Sequence, residues 1–158
     1  MVDPIELRQR AEEFYRSGQF LCSEALLYAF NEELGRPLSD DALKMASGFP
    51  VGMGALGSGG CTCGALSAGQ MVLGLVYGRA VPGQEAPAIL EKAKHLHDWF
   101  QSDKGSTCCR VLIRDFEFGS PAHIDQCVRF TGDVTEHVAR MLDEDPDWDR
   151  WTSAAENV

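Results

Sequence analysis

The stretch Phe20–Gly35, FLCSEALLYAFNEELG, carries apolar residues at Cys22, Ala25, Leu26, Ala29, Phe30 and Leu34. Positions i, i+3, i+4, i+7, i+8 and i+12 fall on one side of an α-helix, so the segment predicts an amphipathic helix with a buried stripe. Gly35 stops it, and Cys22 lies in its first turn.

The same grammar extends in both directions. Upstream, Asp3-Pro4 pairs a capping residue with proline at the first helical position, and Ile5, Leu7, Ala11, Phe14 and Tyr15 supply an apolar side before Gly18 ends the helix. Downstream, Ser39-Asp40-Asp41 starts a short third helix that runs out at Ser47-Gly48, its acids suited to the positive end of the helix dipole. Between Gly48 and Gly69 the chain carries eight of its sixteen glycines, in GFPVGMGALGSGGCTCGALSAG. Such density signals positive φ angles or close backbone approach. Ala65 to Tyr77 is apolar nearly all round, the pattern of a central buried helix with Cys63 at its start.

Beyond Val81-Pro82-Gly83, a surface helix over 86–100 places Ala86, Ile89, Leu90, Ala93, Leu96 and Phe100 on one side. Ser106 or Thr107 can cap a helix whose stripe is Cys109, Leu112, Ile113 and Phe116, a phase that turns Cys108 away from the core. The last helical region has Cys127, Thr131, Val134, Val138, Met141 and Leu142 on one side. It is one helix, or two if Gly132 breaks it with Asp133 and Glu136 as a capping pair. No segment shows the two-residue alternation of a strand. The expected architecture is all-α: one compact domain over 1–143, a bundle of five to seven helices with a glycine-rich loop before a central buried helix. An acidic tail bearing Trp148 and Trp151 follows over 144–158, frayed or docked on a second copy in a homodimer.

Composition narrows the function. The chain has 158 residues, 44% hydrophobic and 24% charged, which suits a globular domain that needs no disulfide merely to fold. Fourteen basic against twenty-four acidic residues give a net charge of -10, which disfavours nucleic acid and anionic membrane partners. No apolar run approaches the roughly 20 residues of a membrane span, and MVDPIELRQRAEEF lacks a signal peptide's basic start and apolar core. The expected compartment is therefore the cytoplasm, where six cysteines read as metal ligands, redox catalysts or packing.

Four of the six, Cys22, Cys63, Cys109 and Cys127, lie at or near predicted helix starts on apolar stripes. Unpaired N–H groups and the helix dipole there favour the thiolate, the form that binds metal or attacks a disulfide. Their spacing is too long for a zinc knuckle or a C-x-x-C redox motif, so any shared site must be assembled by the fold. Cys61 and Cys108, close to Cys63 and Cys109, stand as extra ligands or resolving thiols.

Taken in order, Phe20-Leu21-Cys22-Ser23, the loop into Cys63-Gly64-Ala65-Leu66-Ser67-Ala68-Gly69, Gly105-Ser106-Thr107-Cys108-Cys109-Arg110 and Cys127 resemble the redox-active proteins named for a C…GCAxxG…C…C pattern. Members often read C-G-A-x-x-G at the second cysteine. The resemblance implies a small cytoplasmic redox protein with four functional cysteines. It is also similar to the related domain of split-Soret cytochromes, where an iron–sulfur centre accompanies haem, although no C-x-x-C-H for covalent haem is present here. One departure stands out: Ala68 occupies the place of the motif's last glycine, and Gly69 follows it.

Other signals are weaker. Gly52-Met53-Gly54-Ala55-Leu56-Gly57 fits G-x-G-x-x-G, but a helix and Pro50 precede it and more glycine follows, so dinucleotide binding is not expected. His95, His97, His123 and His137 read as solvated, and the acid pairs Glu12-Glu13, Glu32-Glu33 and Asp40-Asp41 as helix faces or starts. The leading expectation is an iron–sulfur cluster on Cys22, Cys63, Cys109 and Cys127, with the glycine loop and Gly64 offering N–H groups to it, for electron transfer or redox sensing. The alternative is a thiol–disulfide oxidoreductase attacking through Cys63 or Cys109, served by a redox partner protein or a small thiol. The third is a four-cysteine zinc site, or cysteines that only pack.

Overall fold

The computed structural model describes residues 3–146. Residues 147–158 of the predicted tail, both tryptophans included, and its docking on a second copy lie outside these residues. At the tail's start, Asp145 accepts from the Tyr77 hydroxyl at 2.7 Å and pairs with Lys92 at 2.9 Å. Within them there are seven α-helices and no strand: α1 (Pro4–Arg16), α2 (Cys22–Glu33), α3 (Asp40–Lys44), α4 (Gly64–Tyr77), α5 (Pro87–Lys104), α6 (Cys109–Leu112) and α7 (Pro121–Asp143). A 3₁₀ turn, Met45–Gly48, follows α3 directly. None of the described helices is long and apolar enough to cross a membrane.

Helix α4 is central, touching α2, α5 and α7, and eight of its fourteen residues are buried. Around it Leu26, Phe30, Leu73, Leu96, Phe100, Val134 and Leu142 are sealed from solvent, forming a continuous core. The approach of α4 to α5 and α7 is closest at Gly69, where a Cβ would lie 2.9 Å from both Leu96 Cδ2 and Val134 Cγ1. Ala68 is accommodated fully buried one position earlier. The requirement for a bare backbone has thus moved one residue along the helix rather than disappearing.

Two helix starts are fixed locally. Asp3 Oδ1 caps α1 by accepting from the Ile5 and Glu6 N–H groups. At α2 the Glu24 carboxylate accepts the Leu21 N–H at 3.0 Å and the Ser47 hydroxyl at 2.7 Å, while the Ser23 hydroxyl donates to the Ala46 carbonyl at 2.9 Å. These bonds tie the first turn of α2, and with it Cys22, to the segment entering the glycine-rich loop.

Several expectations are corrected in detail. Helix α5 runs on to Lys104, and Leu90 is 73% exposed, because it sits about 100° around the helix from Ile89 while Ala93, Leu96 and Phe100 keep the buried line. Helix α6 is a single turn; Ser106 Oγ accepts the Cys108 N–H, Cys108 is the N-cap, and Ile113 closes the turn. Helix α7 is continuous for 23 residues. Gly132 does not break it; it is the place where α1 crosses, so that a Cβ would meet the Glu12 carboxylate.

Asp133 and Glu136 consequently serve α1 rather than a cap. Arg8 reaches Glu12 Oε1 at 2.8 Å, Asp133 Oδ1 at 2.9 Å and Glu136 Oε2 at 2.9 Å, clasping α1 to α7. Partial burial opposes the Glu136 charge, but hydrogen bonds from Arg140 and Arg8 outweigh it and hold the carboxyl below its ordinary 4.5. A carboxyl depressed by folding adds stability that is present above its unfolded pKa and lost as pH falls through the folded value. Glu136→Gln is therefore expected to lower stability by about 1 kcal/mol at pH 7, with the gap to wild type closing below about pH 4.5 in urea titrations. A gap that stays constant with pH would show that the clasp contributes through packing alone.

Candidate functional site

The sequence of the glycine-rich segment dictates an unusual path. After Pro50 the chain makes a left-handed turn in which Val51, Gly52 and Met53 have φ of 61°, 64° and 66°. Left-handed backbone costs an L-residue roughly 1–2 kcal/mol, most for a β-branched one such as Val51, so the surroundings must hold it in place. They do so by close backbone contact: the Gly60 N–H donates to the Val51 carbonyl at 3.0 Å, and a Cβ on Gly52 would stand 2.6 Å from Gly60 C and 2.8 Å from Cys109 Cβ. The G-x-G-x-x-G match is thus turn and loop, with neither the strand before it nor the helix directly after it that a dinucleotide fingerprint needs.

This path brings the four predicted cysteines to one chamber. Cys22 is the first residue of α2, Cys63 the N-cap of α4 and Cys109 the first residue of α6; all three are buried. Cys127 is half-buried and lies nearly two turns inside α7, which corrects its expected place near a helix start. Together they line an apolar cavity of about 30 Å³. Tyr15, Val51, Gly64, His123 and Phe130 complete its lining. Gly64 has no room for a side chain, since a Cβ would come within 2.5 Å of Cys22 Sγ and 3.0 Å of the Phe49 carbonyl oxygen.

Helix-start positions are expected to ease ionisation, but burial wins here. It pushes Cys22 up strongly, with the neighbouring Cys63 and Cys127 adding to it, against partial relief from the Val51 and Ser23 N–H groups bonded to the sulfur. Burial also raises Cys63, against the Leu66 and Ala65 N–H groups and the charge of Lys104. Cys109 is pushed up to about 11 by burial and by Cys63. Burial, Cys63 and Cys109 take Cys127 to about 12, although the Tyr15 hydroxyl bonds its sulfur. All four are therefore thiols at neutral pH. They become thiolates only where a compensating positive charge enters the chamber.

Cys61 and Cys108, expected as extra ligands or resolving thiols, are paired with each other. They form a disulfide across 47 residues, Cys61 exposed and Cys108 half-buried. Backbone phase explains the division: the N-cap residue Cys108 points outward while Cys109, the next, turns inward, and Cys61 stands two residues outside the cap of α4.

Tyr15 and Val51 are chamber residues that helical patterning did not reveal. Tyr15 reads only as part of the apolar side of α1, and nothing in a glycine-rich string marks which residue will face inward. The histidines divide. His95 and His97 are exposed as expected, whereas His123 is buried against the chamber and His137 stacks on Trp99 with ring centroids 3.8 Å apart. His123 Nδ1 accepts the Gly119 N–H at 2.9 Å, which places the proton of the neutral ring on Nε2, and burial keeps that ring neutral. Burial and the neighbouring His95 lower His137 to about 4.

A family model described as "Putative redox-active protein (C_GCAxxG_C_C)" matches residues 20–141, a span that holds all six cysteines. The chain belongs to this C_GCAxxG_C_C family. No curated protein and no solved structure matches it. For a C_GCAxxG_C_C protein the relevant test is whether the chamber suits a metal group. The donor set suits one: four thiols and no competing carboxylate line the cavity, with backbone N–H groups already bonded to two of the sulfurs. The spacing is not preformed, since among the described residues no three His, Cys, Asp or Glu side chains stand where they could hold an ion. Loading would draw the sulfurs inward from the cavity wall.

Proposed function

We propose that this C_GCAxxG_C_C protein is a redox carrier or sensor in which Cys22, Cys63, Cys109 and Cys127 hold an iron–sulfur cluster. The observation that carries the reading is the convergence of four thiols, three buried and one half-buried, on one apolar cavity, with N–H donors aimed at Cys22 and Cys63. Burial disfavours the thiolate at each of the four positions, neighbouring sulfurs add to this at Cys22, Cys109 and Cys127, and a cationic cluster core would offset both penalties. Bound there, such a group supplies single-electron chemistry, with its potential set by hydrogen bonds to sulfur and by exclusion of water. The protein's own part is to fix Cys127 on α7, to present the Val51, Ser23, Ala65 and Leu66 N–H groups, and to keep solvent out with Val51, Phe130 and Tyr15. A reducing compartment such as the cytoplasm, and a protein redox partner, fit this reading.

The test is anaerobic purification and reconstitution with ferrous iron and sulfide. The expected product is brown and oxygen-sensitive, with iron and sulfide in stoichiometric amounts, and Cys63→Ser loses both. Colourless protein that takes up neither iron nor sulfide, or that retains one zinc ion on the same four thiols, sinks the proposal.

A second reading, thiol–disulfide oxidoreductase, is favoured by one observation, the Cys61–Cys108 disulfide. Its expected nucleophiles, Cys63 and Cys109, are poorly suited to attack, because burial raises both thiols. The exchange chemistry fits the outer pair better.

A further inference from the structure

We propose that the Cys61–Cys108 disulfide is a second redox site, one that accepts electrons from dithiols and, on opening, releases the wall of the four-thiol chamber. Three observations lead to it. The bond is reachable, with Cys61 exposed, whereas Cys22, Cys63 and Cys109 are buried. Each of its cysteines is covalently close to a chamber cysteine, Cys61 two residues from Cys63 and Cys108 adjacent to Cys109.

The third observation is what else holds the wall. Between Val51 and Cys63 the loop has almost no apolar anchor: Met53 is 52% and Leu56 79% exposed, and five of the remaining residues are glycine. Apart from the disulfide, the loop is held to 107–110 by the Cys63 N–H on the Thr107 carbonyl at 2.8 Å, the Arg110 N–H on the Gly60 carbonyl at 2.9 Å and Arg110 Nε on the Gly59 carbonyl at 3.2 Å. A segment with few buried apolar contacts belongs to the part of a fold that opens locally at low free energy. The covalent link adds to these three hydrogen bonds in keeping this one shut.

The reaction balances with a dithiol as the only co-reactant. Its thiolate attacks one sulfur of the pair, the S–S bond breaks, and the other cysteine leaves as a thiolate that takes a proton. The donor's second thiol then displaces the first cysteine. Two electrons and two protons pass from the dithiol to Cys61 and Cys108, and the donor becomes a disulfide.

The inference rests on the chamber being the working site, and its test is independent of any cluster. Full-length protein purified in air is exposed to graded dithiothreitol, pulsed with iodoacetamide and mapped by peptide mass, with helix content followed by circular dichroism. Cys61 and Cys108 are expected to label first, and the chamber cysteines to label at least about tenfold faster once that bond is open, with helix content unchanged. The double variant Cys61→Ser/Cys108→Ser is expected to show fast chamber labelling without dithiol. Chamber labelling at one rate with the bond intact or open overturns the inference. So does an acceleration that coincides with loss of helix, or free Cys61 and Cys108 in air-purified protein. Failure to take up iron and sulfide leaves this labelling pattern untouched, so the two proposals fail separately.

Discussion

Gly60→Ala is expected to destabilise the protein by about 3 kcal/mol and to lose iron and sulfide binding together with it. The new Cβ would overlap the Gly52 carbonyl oxygen and press within 3.1 Å of Gly52 C and 3.2 Å of Ala55 Cβ. The first two are backbone atoms of the left-handed turn, so no rotamer change relieves the clash; the turn itself must move, and Val51 with it. Gly64→Ala makes a useful contrast. Its Cβ would strike Cys22 Sγ, the end of a side chain that can rotate, so the expected loss is smaller, about 1–2 kcal/mol, while cluster uptake still suffers because Cys22 has been turned. Urea titration of both variants checks the order. Equal stability of Gly60→Ala and wild type would show that the loop is not built as described.

Cys61→Ser is expected to cost about 2–4 kcal/mol, because the disulfide closes a loop of 47 residues and its loss returns that freedom to the unfolded chain. Dithiothreitol should shift the wild-type urea midpoint by a similar amount and leave the Cys61→Ser midpoint where it is. A dithiol effect on the variant as large as on wild type would contradict the assignment. The core of Leu26, Phe30, Leu73 and Phe100 does not involve the bond, so the variant is expected to fold.

The helical architecture was legible because its signals are local and periodic. The stripe from Cys22 to Phe30 and the largely apolar run from Ala65 to Tyr77 each report burial along a single helix, and the stripe together with Ala65, Leu66, Ala68, Val72, Leu73 and Val76 of the run is buried. Helical phase likewise separated Cys109 from Cys108. Legibility ended where geometry depends on partners distant in sequence. Gly132 looks like a breaker until α1 is seen to cross it, and Tyr15 reads only as one more residue of α1's apolar side until α7 places Cys127 beside it. The expected ease of ionisation at the four cysteines failed for the same reason. Helix starts are visible in sequence, but the depth of the chamber that outweighs them is a property of the assembled fold. The pairing of Cys61 with Cys108 required knowing that two loops meet.

Cys127 differs from its three companions in mechanical terms. It sits inside a 23-residue helix that Arg8 clasps to α1, whereas Cys22, Cys63 and Cys109 stand at helix ends bordering turns or the glycine-rich loop. On the proposed reading, a contraction of the chamber would be asymmetric, with Cys127 on its long clasped helix as the fixed point and the sulfurs at the three helix ends as those that shift.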